Sequence, residues 1–171
     1  MSSFVYFAYG SNMLTARLRE RCPSAAPIGT GWATGYVVAY DKEGRDGSGK
    51  ANLRRDQRVE AATHGVLFRI ALHERAALDR AEARYDRIDD FTVRADSSDA
   101  PILVSVYIAP AHACRQDLRP FDWYVALIQA GAREHNLCNV YIGELCAIPT
   151  GTDNDAERVA RMHQLQKTKY G

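Results

Sequence analysis

The sequence has no long apolar stretch, no strong net charge and no closely spaced cysteine pair. Its longest apolar runs are far shorter than a bilayer span, so no transmembrane helix is predicted. The formal net charge is +1, with 22 Lys and Arg against 21 Asp and Glu, which gives no overall field to attract nucleic acid or an anionic membrane. We therefore expect neither a nucleic-acid partner nor a membrane partner.

The four cysteines are widely spaced and form no CxxC pair: Cys22, Cys114, Cys138 and Cys146. The first residues, MSSF, have neither a basic n-region nor a small-residue cleavage site, so we expect no signal peptide, a cytoplasmic location and free thiols. No ligand pair falls at the spacing that zinc sites use. Neither a metal site nor a cofactor is predicted.

Three common catalytic signatures are also missing. No Gly-Lys-Ser/Thr follows Gly10, which excludes a P-loop, and the second and third glycines of a dinucleotide fingerprint are absent. No Gly-x-Ser-x-Gly elbow occurs, which argues against an esterase-type serine. The histidines are scattered, and none lies near Ser11 in the sequence, so a Ser–His pair is not predicted.

The residues that are present describe a globular domain. With 46% apolar and 25% charged residues in a chain of 171, one domain with a sizeable core is expected. Strands are predicted at 4–9, 31–40, 52–54, 65–71, 91–95 and 102–109, and helices at 13–21, 73–85, 120–134 and 139–147. Runs of strands with irregularly interspersed helices favour an α+β domain with a mixed or closed sheet.

Two further segments complete the predicted organisation. The polar, glycine-rich segment 42–50 is predicted to be an exposed loop. Residues 1–149 are predicted to form the domain, and residues 150–171 a C-terminal tail that is helical.

The segment YFAYGSNM, residues 6–13, is the most informative in the chain. An apolar strand meets Gly10, and Ser11 and Asn12 are good caps for the helix predicted to follow. Such a turn leaves several backbone N–H groups unpaired, which suits a carboxylate or a phosphate. Turns of this kind also cap helices without binding any ligand, so both interpretations stay open at this point.

The predicted helix after this turn carries three arginines, Arg17, Arg19 and Arg21. They fall on different faces of a helix, and we expect them to face solvent rather than to form a binding cluster.

Glu82 is the candidate general base. On the predicted helix it lies between Leu78 at i−4 and Tyr85 at i+3, beside an apolar edge. A carboxylate that loses hydration there holds a proton more readily, as a general base near neutral pH must. On local sequence alone, a solvated glutamate paired with a neighbouring arginine is the favoured alternative.

Taken together, these segments resemble the γ-glutamylcyclotransferase family. FAYGSNML at 7–14 resembles the family's FAYGSN-type loop, and GVLFRI at 65–70 resembles the strand before its catalytic helix. LDRAE at 78–82 fits the LDxxE segment that carries the family's catalytic glutamate, with Ala83 where the family has glycine. Tyr124 and the helix residues 128–134 resemble the glutathione-cycle branch, and the likeness runs from residue 4 to residue 148.

The resemblance implies a small mixed β-barrel-like sheet with flanking helices, and an intramolecular reaction without a cofactor. The α-amine of a γ-glutamyl amide attacks its own γ-carbonyl and releases 5-oxoproline and a free amine. The resemblance makes Glu82 the catalytic base, while backbone N–H groups of residues 10–13, aided by the helix dipole, hold the substrate α-carboxylate. The implied substrate-binding residues are Tyr9, Gly10, Ser11, Asn12, Met13, Leu14, Tyr85 and Tyr124.

Two alternatives remain beside a cyclotransferase that acts on a γ-glutamyl amino acid. One is a γ-glutamylamine or biosynthetic tailoring cyclotransferase, which the changed residue Ala83 keeps open. The other is a non-catalytic small-ligand-binding module of the same fold, against which the presence of Glu82 argues. A small γ-glutamyl compound is the expected partner, and a homodimer is left open.

Overall fold

The computed structural model describes residues 2–97 and 100–167, so residues 168–171 of the predicted tail lie outside the described residues. Three short 3₁₀ turns occur at Ser11–Met13, Leu72–Glu74 and Ala111–Ala113. The strands are β1 Ser3–Ala8, β2 Ala26–Thr34, β3 Tyr36–Glu43, β4 Gly49–Arg55, β5 Ala62–Ala71, β6 Asp86–Ala95 and β7 Pro101–Ile108. The helices are α1 Thr15–Arg19, α2 Arg75–Ala81, α3 Asp122–Glu134, α4 Asn139–Cys146 and α5 Ala156–Lys167.

Five strands close into a barrel in the order β1-β5-β2-β6-β7. Neighbouring strands are antiparallel except at the seam, where β1 and β7 run parallel and Tyr6 lies opposite Ser105. The remaining strands, β3 and β4, form a separate two-stranded hairpin. The predicted α+β class with a small mixed barrel and flanking helices is confirmed.

Strand β5 contributes a run of buried side chains to the barrel core. In β5, Val66, Leu67, Phe68 and Ile70 are buried while Arg69 is exposed. Because β5 pairs with β1 on one side and β2 on the other, an apolar run is the pattern expected for a central strand. The ends of these strands are therefore held firmly, which fixes the loops that follow them.

The helix predicted at 13–21 is shorter than expected. Leu14 has extended backbone angles, φ −71° and ψ 113°, and separates the 3₁₀ turn at Ser11–Met13 from the five residues of α1. Packing against α3 explains the break: a Cβ on Gly131 would lie 2.3 Å from the Leu14 nitrogen. The backbones of the turn and of α3 are in close contact, and this tertiary contact outweighs the local helix propensity.

The strand predicted at 31–40 is divided at Gly35, which has a φ of +76° that favours glycine. Before it, β2 stays in the barrel, and after it β3 leaves to pair with β4.

The expectation that 42–50 is an exposed loop is wrong in part. Lys42 belongs to β3 and is only 5% exposed, and Ser48 is only 3% exposed.

The helix predicted at 73–85 ends at Ala81, so Glu82 follows the helix instead of lying on it. A tight turn comes next, in which the Tyr85 N–H donates to the Glu82 carbonyl at 3.0 Å. Arg84 in this turn has a φ of 74°, a left-handed conformation uncommon for residues other than glycine. The turn directs Glu82 and Tyr85 toward the end of β1.

The C-terminal helix α5 packs against α3 and α1. Asp153, just before this helix, is buried and accepts hydrogen bonds from the indole N–H of Trp123 on α3, at 2.8 Å, and from the Arg158 guanidinium on α5, at 2.6 Å. The predicted domain boundary at residue 149 stays a prediction.

Within the described residues, no helix has the length and apolarity needed to cross a membrane.

Candidate functional site

A small hollow of about 30 Å³ lies where the end of β1 meets strand β4 and the end of α2. The Gly10 turn forms one wall and the Glu82 carboxylate another. Five tyrosines complete the lining: Tyr6, Tyr9, Tyr85, Tyr107 and Tyr124. The structure therefore brings the two predicted elements, the glycine turn and the glutamate, to one place.

Glu82 is held at this hollow by polar contacts. Its side chain is 15% exposed, and its Oε1 accepts a hydrogen bond of 2.6 Å from the Asn12 side-chain amide. The Arg21 guanidinium lies 3.6 Å from the same oxygen and also donates to the Asn12 carbonyl oxygen. The carboxylate is fixed to the Gly10 turn and faces the hollow.

Asn12 lines the hollow, and its side chain is already engaged there. Its amide nitrogen donates to Tyr6 Oη at 3.1 Å as well as to Glu82, which uses both of its hydrogens. The residue is 4% exposed. Although predicted as a substrate contact, its side chain orients the carboxylate, and only its backbone N–H remains for a ligand.

The tyrosine hydroxyls are engaged with the backbone around the hollow. Tyr85 Oη donates to the Ala51 carbonyl at 2.8 Å, and the Ala51 N–H donates to Tyr124 Oη at 3.1 Å. Tyr9 Oη donates to the Tyr107 carbonyl at 2.6 Å. Burial raises the pKa of Tyr9, Tyr85 and Tyr124, so all three are neutral phenols at pH 7. They fix the walls of the hollow and leave their aromatic faces and edges toward it.

The Gly10 turn offers fewer N–H groups than the sequence predicted. Met13 N–H donates to the Gly10 carbonyl at 2.9 Å, and Leu14 N–H points to the Ser11 carbonyl at 3.4 Å. Among the described residues, no acceptor pairs with the backbone N–H of Gly10, Ser11 or Asn12. These three N–H groups are the ones in the turn that remain available to bind an anion.

Met13 and Leu14 lie elsewhere. Met13 is fully buried and Leu14 is 4% exposed, and in the described part of the chain neither lines the hollow. The helix α1 begins only at Thr15 and has five residues, so the Gly10 turn is not the first turn of this helix. At Gly10 itself, a Cβ would lie 3.1 Å from Ala51 Cβ and 3.6 Å from Tyr124 Oη, so a side chain there would fill the hollow.

The hollow opens into a wider cleft of about 590 Å³, and Ser11, Glu82, Tyr85 and Tyr124 border both. Eight basic side chains line this cleft against three acidic ones. Arg17 and Arg21 are both among the basic lining residues and both are half-buried, so the expectation that the three arginines face solvent and form no cluster is wrong for these two. The cleft therefore has a strong positive charge on a chain whose net charge is only +1.

No family model matches the sequence, and no match is found among curated proteins. Solved structures do match. One described as a gamma-glutamyl cyclotransferase has a TM-score of 0.83 and 23% identity, covering 95% of this chain and 99% of that chain. The chain has the γ-glutamyl cyclotransferase fold.

Two other structures with this cyclotransferase fold agree over nearly the same span. An uncharacterized protein from Homo sapiens gives a TM-score of 0.83 at 24% identity, covering 96% of this chain and 99% of that chain. A glutathione-specific gamma-glutamyl cyclotransferase from yeast gives 0.55 at 12% identity, covering 97% and 96%. The resemblance drawn from the sequence motifs is confirmed for the fold.

On this cyclotransferase fold, sequence reasoning missed several residues of the site. Tyr6 lies in the recognised motif, two strand positions before Ala8, where alternation directs it to one face of β1. Ala51, Tyr107 and Lys42 carry no local signal, because strand pairing far along the chain brings them to the hollow or the cleft. Within the described residues, no group of three or more His, Cys, Asp or Glu side chains is placed to hold a metal ion.

Proposed function

We propose that the protein is a γ-glutamylcyclotransferase that converts a γ-glutamyl amide into 5-oxoproline and a free amine. One observation carries this proposal: a carboxylate that is 15% exposed lines the same small hollow as the Gly10 turn and is oriented by a 2.6 Å hydrogen bond from that turn. The backbone N–H groups of Gly10, Ser11 and Asn12 have no acceptor among the described residues. The cyclisation of a γ-glutamyl group requires a base for the α-amine next to a binding site for the α-carboxylate.

Binding begins at the Gly10 turn. Gly10, Ser11 and Asn12 line the hollow, and in this proposal their backbone N–H groups hold the substrate α-carboxylate, since consecutive N–H groups form a concave anion site. The hollow has room for one end of the substrate only, so the remainder extends into the cleft. In this proposed binding mode the substrate α-amine lies beside Glu82.

The chemistry is a proton transfer coupled to ring closure. The α-amine attacks only when uncharged, so Glu82 takes its proton. A bond forms between the α-nitrogen and the γ-carbon, and Glu82 gives its proton to the amide nitrogen as the original amide C–N bond breaks. Glu82 then takes the second proton that the ring nitrogen must lose and passes it to the free amine. Because both ends of the glutamyl group are held, orientation contributes much of the acceleration.

The test is release of 5-oxoproline from a panel of γ-glutamyl amides by the purified protein and by Glu82→Gln. The variant keeps the size of the side chain and loses the base, so we expect kcat to fall about 100- to 10,000-fold. Glu20→Gln is the matched control, since Glu20 lines the same cleft and pairs with Arg161 at 3.1 Å. We expect that control to stay within about threefold of the wild type, because exposed ion pairs contribute little.

Two outcomes contradict the proposal. Wild-type activity in a folded Glu82→Gln variant removes the glutamate from the mechanism. Binding of γ-glutamyl compounds by calorimetry, without release of 5-oxoproline from any of them, favours the non-catalytic binding module instead.

A further inference from the structure

We infer that the leaving amine of the substrate carries an anionic group, a carboxylate or a phosphate-type group, and that Lys42 is the residue that selects it. The inference rests on the proposed function and concerns the part of the substrate beyond the amide that breaks. It distinguishes an acidic leaving amine from the neutral or cationic amines of a γ-glutamylamine enzyme.

Lys42 is an unusual lysine in this chain. It is 5% exposed and lines the cleft. No carboxylate among the described residues lies within ion-pair distance of its ammonium group. In the part of the chain that the structure describes, its ammonium group lies over the ring of Tyr85, with Nζ 4.7 Å from the ring centre.

The ring does not compensate for the burial of this charge. A cation over an aromatic face gains about 0.5–2 kcal/mol, whereas burial of an ammonium group costs several kcal/mol. Burial lowers the pKa of Lys42, and the nearby guanidinium of Arg84 lowers it further. The lowered pKa reflects the same uncompensated cost of burying the ammonium charge. An anion in contact with Nζ compensates for this cost. Among the described residues no carboxylate lies within ion-pair distance of Nζ, and Glu82 attracts this ammonium group only from farther away, which raises its pKa by less than burial lowers it.

The neighbouring lysine, Lys50, has the carboxylate partner that Lys42 does not have. Lys50 also lines the cleft, but its Nζ donates to Asp46 at 2.8 Å and to Ser48 Oγ at 2.6 Å. Lys50 Nζ also lies 4.8 Å from the ring centre of Tyr124, so both lysines pack on an aromatic ring, but of the two only Lys50 has a carboxylate partner. Lys50 is therefore the natural control for Lys42.

A second cation without a carboxylate partner lies in the same cleft. Arg17 is half-buried, and its guanidinium donates to Ser11 Oγ at 3.0 Å and to Met162 Sδ at 3.2 Å. Neither contact neutralises its charge, and among the described residues it makes no ion pair. Arg17 and Lys42 together give the cleft a charge suited to an anion.

The position of Lys42 assigns this anion to the leaving amine. Lys42 lines the cleft and is absent from the lining of the hollow, whereas Tyr85, beneath its ammonium group, borders both. The reacting end of the substrate lies at the hollow, with Glu82 and the Gly10 turn. A group that contacts Lys42 therefore lies outward from the reacting amide, on the side that leaves.

The experiment compares four γ-glutamyl amides of similar size, whose leaving amines are glycine, aminomethylphosphonate, glycinamide and ethylenediamine. We expect the wild type to turn over the first two with a kcat/KM about 10- to 100-fold higher than glycinamide, the scale of one charged hydrogen bond. The ethylenediamine conjugate should be the poorest. The ratio of kcat/KM for the glycine conjugate to kcat/KM for the aminomethylphosphonate conjugate distinguishes a carboxylate site from a phosphate site.

Lys42→Met keeps the length of the side chain and removes the charge. We expect it to abolish the preference, by lowering kcat/KM of the two anionic conjugates while glycinamide changes by less than about threefold. Lys42→Arg should keep the preference, and Lys50→Met should leave the ratio of glycine to glycinamide conjugates unchanged.

Each failure has a separate meaning. If the wild type uses all four conjugates equally well, the anion inference is wrong while the cyclotransferase stands. If the Lys42→Met variant is folded but its kcat/KM falls by the same factor for every conjugate, Lys42 is not a selectivity residue and the inference is also wrong. If no conjugate releases 5-oxoproline, the proposed function fails, and the inference fails with it.

Discussion

At the scale of single residues, the site depends on how Asn12 places Glu82. The amide of Asn12 donates to both Glu82 and Tyr6, and its carbonyl oxygen accepts from Arg21. A glutamate just beyond the end of a helix has a mobile side chain unless something fixes it. Asn12 supplies that constraint from the strand–turn motif, which explains physically why an asparagine follows Gly10-Ser11.

Asn12→Leu should therefore lower kcat more than it changes KM. The leucine fills a similar volume but releases the Glu82 carboxylate, and a misplacement of about 1 Å can lower the rate about 100-fold. Steady-state kinetics with the best conjugate of the panel measures the two constants separately. A KM that rises with kcat unchanged would instead make Asn12 a substrate contact.

Asn52→Leu is the control for the loss of a buried amide. Asn52 is 2% exposed, and its side chain bonds to Asp41 and to the Ala109 N–H, away from Glu82. Both variants should lower the free energy of unfolding by about 1–3 kcal/mol per unsatisfied buried group. Only Asn12→Leu should lower kcat per folded molecule.

At the scale of elements, sequence patterns predicted strands well where pairing and burial agree with local preference. The strand expected at 65–71 is β5 Ala62–Ala71, and the helix expected at 120–134 is α3 Asp122–Glu134. The patterns failed where contacts with a distant part of the chain determine the local backbone conformation or the burial of a side chain. No local signal at Leu14 shows that α3 will approach the chain there, and Lys42, between two acidic residues, has the neighbours of an exposed lysine.

The contact between α3 and the Gly10 turn can be tested with two helical glycines. At Gly131 a Cβ would lie 2.3 Å from the Leu14 nitrogen and 2.5 Å from the Met13 carbonyl carbon, whereas at Gly143 on α4 nothing lies within 4 Å. We expect Gly131→Ala to lower the free energy of unfolding by about 1–3 kcal/mol through overpacking. Displacement of the turn should also lower kcat/KM.

Gly143→Ala should change stability in the opposite direction. Alanine is favoured over glycine inside a helix by up to about 1 kcal/mol, and there is open space for the methyl group. Urea unfolding of the two variants in parallel measures both effects. Equal stabilisation by the two alanines would mean that α3 and the turn are not in close contact.

At the scale of the whole molecule, the cleft is assembled from distant parts of the chain. The turn after β1, the end of α2, the β3–β4 hairpin and helix α5 each contribute lining residues. The motifs identified two of these parts, the turn and Glu82, because short segments carry them. The charge of the cleft has no such signal, since the chain as a whole has a net charge of only +1 and folding separates the charges in space.

This separation of charge predicts a salt dependence specific to anionic substrates. Eight basic and three acidic side chains around a concave cleft attract an anion before contact is made. Raising the ionic strength from about 0.01 M to about 0.1 M shortens the screening length from about 30 Å to about 10 Å. We expect kcat/KM for γ-glutamyl-glycine, which has a net charge of −1, to fall several-fold over this range, and that for the neutral γ-glutamyl-glycinamide to stay nearly constant. Lys42→Met should keep much of this salt dependence, because the attraction comes from the whole cleft. It should lose the preference at about 0.1 M salt, where that attraction is screened and selection depends on the contact with Lys42. Equal salt dependence for the two conjugates would mean that the field of the cleft does not reach the substrate.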